Sequence, residues 1–399
     1  MQYDFQTLKE AILFNAKETL PTSPEQLDTE LQNLIKNANQ SGERIRHYIG
    51  FEISGQIHIG TGMSTALVVK QLQDAGVKVT LWLADYHTYL NNKLDGQLTT
   101  IRTVAREYFG PVMLECCKVA GCNVEDIDLL FAETEYDRIN LKLNNQNVLT
   151  ALLKTSNQLT LNRVMKSISV TGKEAGEGVN FGTLIYPALQ TMDAFWLQTH
   201  IVHAGVDQRK CHVLMREVAL NMDDETALKI GKEKIKPIAL HHNLLHGLLA
   251  PTTDTDGQLE IAKMSKSKPD SAIWVHDSLV EITRKLKKAY CPMQNLDLTT
   301  EENLRIQEFN PILNWCKNMI YPAGLNIQVT RPEKFGGNKT YTSYKELESD
   351  YMNNSLHPMD LKNAVATCLA NWLSPIREYT ENNPNGLKTL LEVMTKKVK

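Results

Sequence analysis

Two short segments of this chain combine residue types that could bind and polarise a triphosphate. The first is GQIHIGTG at residues 55–62, which follows an apolar run and precedes a helical pattern. The second is KMSKS at residues 263–267, inside a polar loop that we bound at about 251–269. Free N–H groups at a helix start bind anions, and lysines on a mobile loop can close over phosphates. The two segments therefore predict one nucleotide site built from distant parts of the chain.

Single residues of these segments have roles that follow from their chemistry. His58 could donate to phosphate oxygens as charge builds at the α-phosphorus, although taken alone it could equally cap a helix. Gly60 has no side chain, so a flat purine ring could lie against its backbone, and the hydroxyl of Thr61 could donate a hydrogen bond. Lys263 and Lys266 could neutralise phosphate oxygens during an in-line transfer. We expect no metal site in the protein, because Mg²⁺ would arrive on the phosphates of the nucleotide.

Composition is that of an ordinary globular protein. The chain has 399 residues, 22% charged and 42% hydrophobic, with a net charge of −3, which suggests about two domains. No apolar stretch approaches the ~18 residues of a membrane span, and residues 1–40 lack a signal-peptide core. Seven cysteines without a CxxC pair argue against disulfides or zinc and indicate a reducing, cytoplasmic setting. RNA remains possible, because RNA binding needs only a local cationic face.

Apolar runs of strand length alternate with helical patterns up to about residue 277. We predict strands at 46–53, 77–84, 201–204, 237–241 and 272–275, and a short apolar run stands at 127–131. Alternation of this kind predicts an α/β fold, a doubly wound parallel sheet of Rossmann-like type. The expected domains are a helical extension at 1–40, with helices at 6–17 and 24–39, a catalytic domain at 41–277 with an insertion at about 110–180, and an all-α domain at 278–399.

The two signature segments resemble the paired "HIGH" and "KMSKS" motifs of class I aminoacyl-tRNA synthetases. Those enzymes activate an amino acid with ATP and load it on tRNA. Thr61 stands where the family has a second histidine, which places more weight on His58. The resemblance implies that His58, Lys263 and Lys266 are catalytic. It also implies an ATP site that consists of Gly50, His58, Gly60, Thr61, Lys263, Met264, Ser265, Lys266 and Ser267.

Further blocks resemble tyrosyl-tRNA synthetases, in particular the archaeal form. They are YIGFE at 48–52, YPALQTMD at 186–193, VDQRK at 206–210, RPEKFGG at 331–337 and LHPMDLKNAV at 356–365. This similarity spans about residues 45–380 and is poor in the N-terminal 40 residues and in 120–180. It implies that Tyr48 and Asp193 bind the phenolic hydroxyl of L-tyrosine. It further implies that Tyr186, Gln190 and Gln208 bind its α-amino group.

The spacing within the second block is consistent with a pocket wall. Tyr186, Gln190 and Asp193 fall at i, i+4 and i+7, so one helix face carries all three. A polar helix edge would have the same spacing. A pocket whose buried polar groups need a hydroxyl would disfavour phenylalanine, since those groups would then be left unpaired.

The same resemblance implies contacts with tRNA(Tyr). Phe335 and His357 could sandwich one base, with Asp360 accepting a hydrogen bond from a guanine edge of the anticodon. His357 could also be a plain helix N-cap. Arg209 and Lys210 match residues that contact the acceptor end, and Lys166 is a further candidate there. The family forms homodimers through the insertion, so we expect a homodimer.

Three alternative functions share some of these sequence features. Tryptophanyl-tRNA synthetases share the fold and both signatures, but they have no phenol to bind, so Asp193 and the DQRK run argue against them. A catalytically inactive relative that binds RNA is opposed by His58, Lys263 and Lys266. An ATP-dependent activator that does not use tRNA is opposed by the three candidate anticodon residues. The resemblance therefore implies that the chain is a tyrosine–tRNA ligase, EC 6.1.1.1.

Overall fold

The computed structural model describes residues 2–140, 143, 146–173, 179–253, 259–264, 268–293, 299, 304 and 308–397 of the chain. Three predicted site residues, Ser265, Lys266 and Ser267, lie outside the described residues. Lys263 and Met264 of the same motif are described.

A six-stranded sheet forms the centre of the first two thirds of the chain. Its strand order is β1-β8-β5-β2-β3-β4; β1 is antiparallel to β8 and the other neighbours are parallel. Three two-stranded sheets accompany it. The described strands are β1 Ala16–Leu20, β2 Arg46–Phe51, β3 Lys78–Leu83, β4 Ile127–Phe131, β5 Ile201–Gly205, β6 Lys229–Ile230, β7 Glu233–Lys234, β8 Ile238–His242, β9 Thr252–Thr253, β10 Leu259–Glu260, β11 Ile327–Val329 and β12 Lys339–Tyr341.

The strand order contains one reversal. From β2 the chain moves outward through β3 to β4, and it then returns to the opposite side of β2 with β5 and β8. The carboxyl ends of β2 and β5 therefore border a crevice, which is where open parallel sheets bind ligands. This is the doubly wound arrangement that the alternating pattern predicts.

Helices cover both faces of this sheet and continue beyond it. The described α-helices are α1 Phe5–Leu13, α2 Pro24–Ser41, α3 Thr65–Asp74, α4 Asp85–Leu90, α5 Leu98–Val104, α6 Gly110–Val119, α7 Ala132–Tyr136, α8 Val148–Ser156, α9 Leu161–Ser167, α10 Phe181–Trp196, α11 Arg209–Val218, α12 Leu279–Lys288, α13 Pro311–Trp315, α14 Tyr344–Met352, α15 Pro358–Trp372, α16 Ser374–Asn382 and α17 Asn385–Lys397. Among these described helices, none is both long and apolar enough to span a bilayer.

Alternation along the strands assigns side chains to two cores. Ile49 of β2 and Ile201 of β5 join the large core that also contains apolar residues of α1, α2, α3 and α6. Tyr48 and Val202 point to the opposite face, where α10 packs with Leu189 and Met192. Successive strand residues face opposite sides, so each core receives every second side chain. Polar residues at the strand ends are thereby held by a packed framework.

Two predictions about strands differ from the structure. Residues 272–275 form no strand of the large sheet; Ile273 and Val275 hydrogen-bond the backbone of Ile59 and Ile57, each at 3.0 Å. Their apolar side chains are buried against that segment, which explains the strand-like pattern. In the N-terminal extension, predicted as helical, residues 16–20 form β1, because they pair with β8 at the sheet edge.

The C-terminal part is helical from α12 onward, as predicted, with one exception. A short hairpin pairs Ile327–Val329 with Lys339–Tyr341. The sequence does not predict this hairpin, because its strands have three residues each, too few for an alternating pattern. The hairpin loop contains Phe335.

Candidate active site

The crevice at the reversal point opens into a cavity of about 480 Å³. Many of the predicted ligand-binding residues line this cavity. From the expected ATP site they are Gly50, His58, Gly60, Thr61, Lys263 and Met264. From the expected tyrosine site they are Tyr48, Tyr186, Gln190, Asp193 and Gln208. The fold thus gathers predicted site residues from positions as far apart as 48 and 264 around one cavity.

His58 is positioned from two sides. Its backbone forms an antiparallel bridge with Trp274. Its ring contacts Thr61, because Nδ1 accepts a hydrogen bond from the Thr61 N–H at 3.2 Å and Nε2 lies 3.1 Å from Thr61 Oγ1. Since Nδ1 is an acceptor, a neutral ring carries its proton on Nε2 and donates to the threonine oxygen. The Thr61 hydroxyl then keeps its own proton for another acceptor.

Gly60 provides space for this arrangement. A Cβ at residue 60 would lie 3.1 Å from His58 Nδ1 and 3.5 Å from Met264 Sδ. The first signature, the His58 ring and the described start of the second signature therefore meet at this glycine. The space that we expected a purine to use is occupied here by the imidazole.

The second signature is held close by another glycine. His246 bridges Lys263, and the Gly247 N–H donates to Ala262 O at 2.5 Å. A Cβ at Gly247 would lie 2.7 Å from the backbone carbon of Lys263. Only a residue without a side chain allows this approach. The exposed Lys263 side chain lies at the rim of the cavity.

Asp193 sits at the buried end of the cavity and is 1% exposed. Its carboxylate accepts hydrogen bonds from the Tyr136 hydroxyl and, at 3.2 Å, from Trp82 Nε1. Burial raises the pKa of Asp193 well above the ordinary range, and these two hydrogen bonds oppose that rise. A carboxylate has about four acceptor sites, so it can accept from a further donor in the cavity. Tyr48, 3% exposed, lies in the same wall, and burial also raises its pKa.

Three residues at this end were not predicted: Trp82, Tyr136 and His87. Their signal is weak in the sequence, because Trp82 and Tyr136 lie 111 and 57 residues from Asp193. His87 Nε2 lies 3.4 Å from Asp193 Oδ2, and its ring meets Tyr186 edge-on at 4.9 Å. Burial lowers the pKa of His87 to about 3, so the ring is neutral. The only sequence clue is general, since a buried carboxylate requires donors.

A set of amide groups lines the middle of the cavity. Gln190 Nε2 donates to Gln208 Oε1 at 3.2 Å, and Gln208 Nε2 donates to Asp207 Oδ2 at 2.9 Å. Gln190 Oε1 is buried and has no hydrogen-bond partner among the described residues. An acceptor in this state suits a ligand with N–H donors, such as an ammonium group. Tyr186, on the same face of α10, adds a hydroxyl nearby.

The predicted acceptor-end residues lie outside the cavity lining. Arg209 Nε pairs with Glu18 Oε1 at 2.7 Å, and Lys210 Nζ donates to Ser169 Oγ at 2.8 Å. Lys166 is exposed on α9. Lys166 therefore lies on the insertion and Lys210 contacts it, whereas Arg209 contacts β1.

The predicted anticodon residues form a separate group in the C-terminal part. Phe335 is 61% exposed, an unusual state for an aromatic ring, and Lys334 Nζ lies 4.9 Å from its centre. His357 caps α15, with Nδ1 accepting from the Met359 N–H at 3.1 Å. Asp360 lies 3.6 Å from Arg331. Arg331 also donates to Gly337 O at 3.1 Å, which ties the Phe335 turn to the start of α15.

Comparison with known proteins agrees with this geometry. The family model described as class I tRNA synthetases (W and Y) matches residues 40–374, and the chain belongs to that family. The tyrosine–tRNA ligase of Thermococcus sibiricus is 40% identical over 367 residues, which are 90% of this chain and 93% of that protein. The tyrosyl-tRNA synthetase of Pyrococcus horikoshii, solved with L-tyrosine, has a TM-score of 0.83 and 36% identity. That alignment covers 98% of this chain and 100% of the other.

Tryptophan enzymes are more distant. A tryptophanyl-tRNA synthetase from Aeropyrum pernix has a TM-score of 0.61 with 19% identity, covering 92% of this chain and 84% of that one, so it shares the fold alone. The two tyrosine enzymes above match this chain at 40% and 36% identity over 90% and 98% of its length.

Proposed function

We propose that this chain is a tyrosine–tRNA ligase. It activates L-tyrosine with ATP to tyrosyl-adenylate and transfers the tyrosyl group to tRNA(Tyr). The observation that carries the proposal is the single cavity shared by His58, Lys263 and the Tyr48–Asp193 pair. The catalytic domain is residues 41–277, with its insertion at about 110–180, and residues 278–399 bind the anticodon.

The buried end of the cavity recognises the phenolic hydroxyl of the tyrosine substrate. The substrate hydroxyl donates to Asp193, which already accepts from Tyr136 and Trp82, and it accepts from the Tyr48 hydroxyl. A phenylalanine ring would leave both protein groups without a partner, and the discrimination of tyrosyl-tRNA synthetases against phenylalanine is the standard example of this effect. The α-amino group donates to Gln190 Oε1 and the Tyr186 oxygen, with Gln208 holding the Gln190 amide.

The other end of the cavity binds ATP and is where the amino acid is activated. The substrate carboxylate attacks the α-phosphorus, the bond to the β-phosphate oxygen breaks, and pyrophosphate leaves. His58 and the Thr61 hydroxyl donate to phosphate oxygens, with Thr61 acting in place of a second histidine. Lys263, together with Lys266 outside the described residues, neutralises the pyrophosphate as charge develops. Gly50 and Met264 border the nucleoside, whereas Gly60 belongs to the ATP site by making room for the His58 ring. Ser265 and Ser267 complete the loop.

Mg²⁺ enters this proposal as part of the ATP substrate. Within the ranges that the structure describes, no group of three histidine, cysteine or acidic residues could hold a metal ion. The phosphates themselves supply the oxygen ligands that Mg²⁺ prefers.

Two surfaces serve tRNA(Tyr) in this proposal. Arg209, Lys210 and Lys166 hold phosphates of the acceptor end. Phe335 stacks on an anticodon base, which its exposed ring favours. His357 and Asp360 border the same base, with the helix cap and the Arg331 pair orienting them.

A homodimer formed through the insertion is also part of the proposal. Exposed large apolar side chains are concentrated there, although such side chains are usually buried. They include Ile139, Leu149, Leu153, Leu161 and Phe181. All seven cysteines are free thiols, which favours a reducing compartment such as the cytoplasm.

The test is exchange of labelled pyrophosphate into ATP with tyrosine, tryptophan or phenylalanine present. Tyrosine alone should support rapid exchange, and tRNA(Tyr) should then become charged. Exchange with tryptophan but not tyrosine would reject the substrate. Exchange without any tRNA charging would reject the ligase activity and support an activator that does not use tRNA.

A further inference from the structure

Three buried histidines lie in line across the central sheet, and none belongs to the predicted site. His47 Nε2 is 3.1 Å from His203 Nδ1, and His203 Nε2 is 2.8 Å from His242 Nδ1. Their exposed fractions are 0%, 1% and 8%, respectively. A run of three hydrogen-bonded imidazoles in a protein core requires an explanation, because burying polar rings costs free energy.

Strand register produces this line. His47 on β2 pairs with Ile201, two residues before His203 on β5. His203 in turn pairs with Leu240, two residues before His242 on β8. Residues two apart share a face, so the three rings climb along one face towards the carboxyl edge of the sheet. His203 and His242 reach the cavity lining, whereas His47 is not part of it.

The inner end of the line determines which nitrogens carry protons. His47 Nδ1 is buried and has no hydrogen-bond partner in the described part of the chain. An unpaired buried N–H is rarer than an unpaired acceptor, so the His47 proton resides on Nε2 and is donated to His203 Nδ1. His203 is then protonated on Nε2 and donates to His242 Nδ1. His242 must carry its own proton on Nε2.

This polarity turns His242 into a donor with an open side. Its Nε2 makes no hydrogen bond to any residue the structure describes, and it is not among the fully enclosed polar atoms without a partner, so it faces the cavity. Burial lowers the pKa of His242 to about 4, and the carboxylate of Asp207 nearby opposes that shift. The group presented to a ligand is therefore a neutral N–H in a cavity whose lining also includes the carboxylate of Asp207.

That pair of groups selects one part of the substrates. A phosphate or the tyrosine carboxylate would be repelled by Asp207, and an ammonium group has no lone pair to accept from an N–H. A sugar hydroxyl can accept from the imidazole while donating to the carboxylate. We propose that His47 and His203 are positioning residues that fix His242 as a permanent Nε2–H donor to a ribose hydroxyl of ATP. This inference rests on the proposed ligase function.

Nuclear magnetic resonance of ring-labelled histidines tests the tautomers in the intact protein. Long-range nitrogen–carbon correlations at pH 7 distinguish Nε2–H from Nδ1–H rings, with assignments from single histidine-to-glutamine variants. We expect His203 and His242 both to be neutral Nε2–H rings. An Nδ1–H ring or a protonated ring at either position would overturn the proposal, and this measurement needs no variant of His47 to fold.

Exchange kinetics test the consequence for ATP. His47→Leu removes the donor to His203 from outside the cavity, whereas His47→Gln retains an N–H that can replace it. We expect the leucine variant to raise KM for ATP about threefold to tenfold, with kcat and KM for tyrosine little changed. The leucine variant should also discriminate less between ATP and 2′-deoxy-ATP or 3′-deoxy-ATP. The His47→Gln variant should have the wild-type KM for ATP and the wild-type preference for ATP over these analogues.

A matched control separates this effect from general damage to the sheet. His200 is also buried at the start of β5 and hydrogen-bonds the Arg46 N–H at 2.9 Å, but it lies outside the line and the cavity lining. His200→Gln should leave the preference for ribose hydroxyls unchanged. A folded His47→Leu protein with wild-type preference would refute the positioning role. Absence of tyrosine-dependent exchange in the wild type would instead refute the proposed function.

Discussion

The most informative perturbation is Asp193→Asn, at the buried end of the cavity. The substitution keeps the size of the side chain and removes its charge. In the structure one carboxylate oxygen accepts from Tyr136, and the other accepts from Trp82 Nε1 at 3.2 Å. An asparagine has one oxygen for these donors and the phenol together, and its amide N–H₂ would face a donor.

The magnitude follows from the type of hydrogen bond that is lost. A hydrogen bond to a charged acceptor is worth about 1.5–3 kcal/mol, which corresponds to roughly tenfold to 150-fold in a ratio of rates. The kcat/KM for tyrosine divided by that for phenylalanine should fall by this factor in pyrophosphate exchange. The fall should come from the tyrosine value, since phenylalanine has no hydroxyl to lose.

Stability should move in the opposite direction. Because burial raises the folded-state pKa of Asp193, the charged form costs stability as the pH rises through that pKa. Asparagine has no such cost, so the variant should be no less stable at neutral pH. A weaker selectivity for tyrosine over phenylalanine could then not be attributed to unfolding of the Asp193→Asn variant.

Asp85→Asn is the matched control. Asp85 is 3% exposed and pairs with Arg102 at 2.8 Å, but it does not line the cavity. Removing the charge of Asp85 should leave the preference for tyrosine over phenylalanine intact. A folded Asp193→Asn protein with the wild-type ratio of tyrosine to phenylalanine kcat/KM would refute the assigned role of Asp193. An equal fall of that ratio in Asp85→Asn would refute it as well.

Three further expectations concern other parts of the molecule. Gly247→Ala would place a Cβ 2.7 Å from the Lys263 backbone, and overpacking of this kind costs about 1–3 kcal/mol. The rate of pyrophosphate exchange should therefore fall roughly tenfold. A wild-type exchange rate would count against the placement of the loop that carries Lys263. Phe335→Ala should weaken charging of tRNA(Tyr) at least severalfold and spare adenylate formation, and equal losses would exclude an anticodon role. Lowering the pH from 7 to 5 should reduce the free energy of unfolding, measured in urea, by up to about 2 kcal/mol for each buried histidine with a depressed pKa. The reason is that these histidines take up protons in the unfolded chain but not in the folded protein. A free energy of unfolding that does not change with pH would contradict this. These histidines include His47, His87 and His242, with pKa values of about 3, 3 and 4.

Local patterns were sufficient for the residues that stand in contiguous motifs. His58 and Lys263 could be identified because each lies in a short segment whose residue types suit phosphate chemistry. Tyr186, Gln190 and Asp193 share a helix face by their spacing alone, and α10 carries them to the cavity wall. Alternation of apolar runs with helical patterns likewise predicted the doubly wound sheet.

Patterns failed where partners come from distant segments. Residues 272–275 look like a strand, but they are apolar because they cover the backbone around His58. The donors to Asp193 are contributed by β3 and α7, and no spacing rule connects them. The hairpin that presents Phe335 is too short to leave a periodic signal.

The amino-acid sequence by itself therefore determined the fold class, the two segments proposed to bind phosphates and the polar face of one helix, since these depend on short-range periodicity and local chemistry. Only the tertiary structure decided what surrounds Asp193, how Thr61 holds His58, and which histidines touch across β2, β5 and β8. The reason is that hydrogen bonds between strands depend on register. A shift of one residue would move every side chain of a strand to the opposite face of the sheet.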